Sequence, residues 1–151
     1  MRLTTFSDYT IRVLIYLALH PGRRATIGEL ANIYHISRNH LMKVVHHLGR
    51  TGYVETVRGK GGGFLLAVPA ARINIGRLIR DTEERVSLVA CFGDNSNECR
   101  IHAACEMKGM LQEALEAFYQ VLEKYTLEDL LRDRARLAAL LPDQEAGSRH
   151  T

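Results

Sequence analysis

Apolar positions recur every three or four residues from Phe6 to Leu19, the period of a helix that buries one face. His20-Pro21-Gly22 stops the run, since proline and glycine both disfavour continuation. Thr26-Ile27-Gly28-Glu29 has the form of a capping box and predicts a short second helix reaching about Tyr34. After His35-Ile36, Ser37 is suited to cap a third helix that runs to about Leu48, with Gly49 to Gly52 ending it. At 100° per residue, Leu41, Val44, Val45 and Leu48 fall on one face of that helix. Asn39, Lys43, His46 and Arg50 fall on the other, with Arg38 at the start and His40 and His47 on the flanks.

The period then changes from helical to alternating. Tyr53-Val54-Glu55-Thr56-Val57 and Phe64-Leu65-Leu66-Ala67-Val68 read as two strands joined by the basic glycine turn Arg58-Gly59-Lys60-Gly61-Gly62-Gly63. The turn lacks the Gly-Lys-Ser/Thr step and the following helix that a phosphate-cradling loop needs, so a nucleotide site is not indicated. Pro69 ends the hairpin, and Ile73 to about Glu84 reads as an amphipathic helix through Ile75, Leu78 and Ile79. Leu111, Ala114, Leu115, Phe118, Val121, Leu122 and Tyr125 make a long apolar stripe suited to dimerisation. A last helix restarts at Thr126, carries Leu127, Leu130, Leu131 and Leu137, and closes at Pro142.

Two short helices, the second with a row of hydrogen-bond donors, followed by a hairpin with a cationic tip, describe a winged helix-turn-helix. The expected fold is mainly α with a small β-hairpin wing, extended by a long dimerisation helix. The donors Arg38, Asn39, His40, Lys43, His46 and Arg50 would enter a major groove of double-stranded DNA, and Arg58 and Lys60 would reach phosphates or a minor groove. Charge agrees: residues 1–72 hold ten Lys/Arg against three Asp/Glu, a balance of +7, which leaves −4 for the remainder of a chain whose total is +3. At 151 residues, 46% hydrophobic and 25% charged, the chain has the composition of a folded domain rather than a disordered one. Its start lacks a signal-peptide core, and no apolar run approaches the ~18 residues that span a bilayer, so a cytoplasmic protein without a membrane partner is expected.

All three cysteines, Cys91, Cys99 and Cys105, fall in one stretch with the spacing C-x7-C-x5-C. An odd count excludes complete pairing within one chain and points to a reducing compartment. Clustered thiolates point to a metal site, and the absence of paired C-x2-C or H-x3-5-H knuckles favours an iron–sulfur cluster over structural zinc. Three thiolates leave one coordination place to another residue. His102, between two of the cysteines, offers a Cys3His zinc site as an alternative. A catalytic thiol at Cys99 or Cys105 with His102 as base has only proximity in its favour, and an enzyme is not expected. A protein-interaction module with idle thiols would leave the donor row and the basic hairpin without a use.

Met1-Arg2-Leu3-Thr4-Thr5-Phe6-Ser7-Asp8-Tyr9-Thr10, Asn39-His40-Leu41-Met42-Lys43-Val44-Val45-His46 and Val57-Arg58-Gly59-Lys60-Gly61-Gly62-Gly63 carry a resemblance. Through them, and over nearly the whole chain to about Leu131, the sequence resembles the winged-helix bacterial iron–sulfur regulators, and within them the nitric-oxide-sensing repressors. The resemblance implies a homodimer on a palindromic DNA operator, with one cluster per subunit, [4Fe–4S] ahead of [2Fe–2S]. It also implies the missing ligand. One branch of the family places a histidine three residues past the last cysteine, where this chain has Lys108. The nitric-oxide-sensing branch uses an aspartate of helix one, supplied by the partner subunit, which matches Asp8 with Arg12 one turn on to pair with it. The first cysteine gap is longer here than is common in the family, which leaves both nuclearities open. The implied function is a repressor released from its operator on nitrosylation, with an iron- or redox-status regulator of the same family, or a zinc-bound winged-helix regulator, as the alternatives. The expected organisation is a winged-helix DNA-binding domain over 1–72, a cluster-binding loop with dimerisation helices over 73–141, and a flexible tail over 142–151.

Overall fold

In the computed structural model, which describes residues 2–83, 88, 89, 92 and 99–142, helix α1 spans Thr5–Leu19. It is a core helix: Val13, Leu14, Tyr16, Leu17 and Ala18 are buried. The capping box that opens α2, Ile27–Tyr34, is formed in full. The Thr26 hydroxyl accepts from the Glu29 amide at 3.2 Å, and the Glu29 carboxylate accepts from the Thr26 amide at 3.3 Å. His35, with φ 53°, turns the chain through the left-handed region, and Ser37 caps α3, Arg38–Arg50, by accepting from the His40 amide. α3 runs two residues past the expected end because Gly49 tolerates the helix and the turn falls at Gly52, φ +81°.

Strands β1, Val54–Val57, and β2, Gly63–Leu66, pair antiparallel with Val54 opposite Leu66 and Val57 opposite Gly63. Both are shorter than the alternation suggests, and a third segment joins them: Ala25 and Phe64 exchange both backbone hydrogen bonds, at 2.8 and 2.9 Å. Thr5–Ile73 and the segment from Thr126 form one compact unit, with Leu30, Leu41, Val44, Leu48, Val54, Phe64, Ile73, Leu127 and Leu131 in its interior. The Leu127 amide donates to the Ile73 carbonyl at 2.8 Å, so the segment after Tyr125 belongs with the winged helix rather than with the dimerisation helices expected over 73–141.

That last segment is also not one helix. Leu127–Leu131 is a 3₁₀ stretch, and the Asp133 carboxylate starts a separate α6, Arg134–Leu140, by accepting from the Arg136 amide. Leu127 and Leu131 are buried while Leu130 is exposed, which is why apolar spacing alone did not reveal the break.

The second unit is built on α4, Ile75–Glu83, and α5, Glu106–Leu122. The Asn74 side chain accepts from the Arg77 amide and caps α4, which therefore starts after Ile73 rather than at it. Gly76 lies so close to α5's end that a β-carbon there would sit 2.5 Å from the Glu123 nitrogen. Arg80 bonds Glu116 and Glu123 and lies 4.3 Å above the Tyr119 ring. α5 ends before Tyr125, which falls outside the helical stripe and is exposed.

Candidate nucleic-acid interface and cysteine segment

The row read from α3 stands in solvent. Leu41, Val44, Val45 and Leu48 hold the helix in the core, and Arg38, Asn39, His40, Lys43, His46 and Arg50 are all exposed on its other face. They are not equivalent. Arg38 turns back over α2, its guanidinium 3.2 Å from where a side chain on Gly28 would begin. The His40 ring packs 5.9 Å from Tyr9 of α1, and His47 is set edge-on to Phe6 at 5.3 Å. Asn39, Lys43, His46 and Arg50 carry the donors along the face, and His46 and Arg50 share a cavity of about 410 Å³ with Glu55 and Thr56 of β1. The C-terminal end of the α3 face thus borders β1 of the hairpin across a shared groove.

The geometry of the helix-turn-helix rests on a buried ionic cluster. The Tyr16 hydroxyl and the Arg23 guanidinium both donate to one oxygen of Glu29, the latter at 2.7 Å, while the other oxygen caps α2. Burial and the neighbouring Glu29 push the Tyr16 phenol upward, so it stays a donor. Tyr34, whose pKa burial pushes up to about 12, donates to the Arg12 carbonyl at 2.9 Å and ties α2 to α1.

At the wing tip Arg58 and Lys60 are exposed. The glycines between and after them are required by space as well as by turning. Gly59 and Gly61 have φ of +96° and +74°. A β-carbon on Gly62 would lie 2.4 Å from the Val57 carbonyl, and one on Gly63 would lie 2.5 Å from the Ala25 carbonyl. One cation near this tip had no signal in the sequence. Arg24, exposed, donates from Nη1 to the Gly61 carbonyl at 3.2 Å across 37 positions of chain.

Of the three cysteines, Cys91 lies outside the described residues. Cys99 is exposed, Cys105 is half-buried, and neither is in a disulfide. The Cys99 carbonyl accepts from the His102 amide to open a 3₁₀ turn, His102–Ala104, and Cys105 stands at the cap position of α5 without a side-chain capping bond. Two accessible thiols on one segment suit a group that needs soft sulfur ligands. The His102 Nε2 lies 3.3 Å from Lys108 Nζ. In the tautomer protonated at Nδ1, Nε2 accepts from the ammonium. Among the described residues, no three His, Cys, Asp or Glu side chains are assembled for a metal.

Asp8 lies on α1, in the unit that does not contain Cys99 and Cys105. Arg12 holds both of its oxygens in a fork, at 2.8 and 3.2 Å, and each side chain is nearly half exposed. The carboxylate is therefore presented at the surface, paired with Arg12.

No helix among the described residues is long and apolar enough to cross a membrane. Residues 3–133 match the Rrf2 family, described as iron-dependent transcriptional regulators. The chain is 46% identical over 142 residues to the HTH-type transcriptional regulator NsrR of Shouchella clausii, covering 93% of this chain and 95% of that one. It is 47% identical over 146 residues to the NsrR of Bacillus subtilis, covering 96% and 100%. Among solved structures it is similar to the oxidized form of CymR from Staphylococcus aureus, with a TM-score of 0.67 and 26% identity over 87% of this chain and 97% of that one. IscR of T. potens shares the fold, with a TM-score of 0.69 at 24% identity over 88% of each chain.

Proposed function

Since the chain belongs to the Rrf2 family of transcriptional regulators, and is not an enzyme, we propose that it is a cytoplasmic repressor that senses nitric oxide through an iron–sulfur cluster. In this reading it binds a palindromic operator as a homodimer. The observation that carries the proposal is the exposed face of α3 with Asn39, Lys43, His46 and Arg50, in a winged helix whose hairpin tip bears the exposed cations Arg58 and Lys60. Donors that reach base edges from a helix, beside cations that reach phosphates, are the two components of sequence-specific duplex recognition. Met107, Met110 and Val121 on α5, each more than half exposed, support a second copy as the cover of that helix.

Cys91, Cys99 and Cys105 would hold the cluster, with Asp8 of the partner subunit as fourth ligand, and [4Fe–4S] is the form proposed over [2Fe–2S]. When bound, such a cluster supplies iron that nitric oxide attacks. The chain's own part is to present the ligands. α5 opens at Cys105, and Arg12 orients the Asp8 carboxylate. An oxygen ligand is the hardest and weakest partner for this iron, which makes Asp8 the natural point of sensitivity. Anaerobic purification tests the cluster: iron and acid-labile sulfide with a brown colour are expected, and colourless zinc-loaded protein would exclude it. A regulator of the same family that responds to iron or cluster supply is the second reading, favoured by the family's description as iron-dependent.

A further inference from the structure

Arg24 stands beside β2 on the short segment that Ala25 pairs to Phe64, and its guanidinium reaches the wing tip at Gly61. We propose that Arg24 is a third cation of the wing, which braces the tip through the Gly61 carbonyl and contacts a DNA phosphate with its remaining donors. The inference rests on the DNA-binding reading above and names a residue that reading lacks.

Four observations carry it. The side chain is exposed, so charge and donors are available to a ligand. The one carbonyl it holds belongs to the turn between the two strands, where the Gly62 amide already bonds to Gly59 and the Gly61 oxygen points outward to Arg24. The Gly63 position is closed by the Ala25 carbonyl and by Arg24's own β-carbon, 3.2 Å from a side chain built there, so the segment carrying Arg24 is pressed against the hairpin. Finally, the acid of the hairpin, Glu55, faces Leu65 in the strand register, two pairs back from the tip end at Val57 and Gly63. Arg24, Arg58 and Lys60 thus share a tip without a carboxylate in the turn. A guanidinium has five N–H groups in a fixed fork, so it can hold a carbonyl on one edge and a phosphate on the other, whereas a lysine offers a point charge without that fixed geometry.

Arg23, its neighbour in sequence, has a different task. It is drawn inward to Glu29, which explains why two adjacent arginines do not form one basic patch.

The test is binding of the full-length protein to a random-sequence DNA duplex over a series of salt concentrations, because a phosphate contact is sequence-independent. Arg24→Gln keeps a donor for the Gly61 carbonyl and removes the charge. It should weaken binding and lower the slope of log affinity against log salt by about 0.9 for each subunit engaged. Arg24→Lys should keep the slope. Weaker binding of Arg24→Gln with an unchanged slope would reduce Arg24 to a brace and overturn the phosphate contact. Unchanged affinity and slope in Arg24→Gln, with Lys43→Ala still weakened, would remove Arg24 from the interface while leaving the interface standing. If Lys43→Ala and Lys60→Ala also bound like wild type, the DNA-binding surface itself would be misplaced and the proposal would fall with it.

Discussion

The buried carboxylate of Glu83 accepts hydrogen bonds from both the amide and the hydroxyl of Thr4, at 2.7 and 2.9 Å. Glu83 is the last residue of α4, on the approach to the cysteine segment, and Thr4 is the residue before α1, the helix of Asp8. Glu83→Ala leaves two half-buried donors without this acceptor, and unfolding in urea should show a loss of about 1–3 kcal/mol. A loss no greater than that of an exposed substitution would mean that the contact is not made in solution.

Wing geometry gives a sharper expectation. Gly62→Ala places a β-carbon within 2.4 Å of the Val57 carbonyl, which cannot yield without moving β1. The expected cost is about 1–3 kcal/mol of stability, with a fall in DNA affinity because Arg58 and Lys60 are displaced together. Binding measured beside thermal unfolding checks both. Wild-type affinity in Gly62→Ala would take the wing out of the interface.

Contacts to bases and to phosphates should separate by their selectivity. Lys60→Ala should weaken binding to all duplexes alike and lower the salt slope, whereas Asn39→Ala should narrow the difference between a selected duplex and a random one by about 1–3 kcal/mol. Competition titrations with the two duplexes read this directly. The same loss for both duplexes in Asn39→Ala would assign it to the backbone.

The Asp8–Arg12 pair is exposed enough for solvent to screen it, so Asp8→Ala should change stability by less than about 1 kcal/mol. Its effect should appear at the cysteine segment instead, as altered visible absorbance and faster loss of colour in the anaerobic protein. Unchanged spectra and lifetime would leave Asp8 as the partner of Arg12 alone.

What could be read from the chain divides along physical lines. The α3 face was legible because Leu41, Val44, Val45 and Leu48 repeat with helical period and Lys43, His46 and His47 between them are polar, and the structure buries that set. The Thr26–Glu29 capping box was legible because both partners lie within one turn. The glycine run was readable as a turn, but the need for Gly62 and Gly63 comes from the carbonyls of Val57 and Ala25, and the second of these is far away in sequence. Arg24 was illegible for the same reason, since its partner lies 37 positions away and no local pattern distinguishes it from Arg23. In the last segment the apolar spacing of Leu127, Leu130, Leu131 and Leu137 concealed a break that Asp133, a capping residue, could have signalled. The cysteine spacing suggested a ligand set, and of its three thiols the structure describes Cys99 and Cys105.

Binding of the anaerobically purified protein to a DNA duplex that it selects from a random pool, before and after nitric oxide is added, tests the central claim most directly. Wild type should bind and lose most of its affinity on exposure, while Cys105→Ala should be colourless and show no such response. Colourless wild-type protein whose DNA affinity is the same with and without nitric oxide would contradict the account.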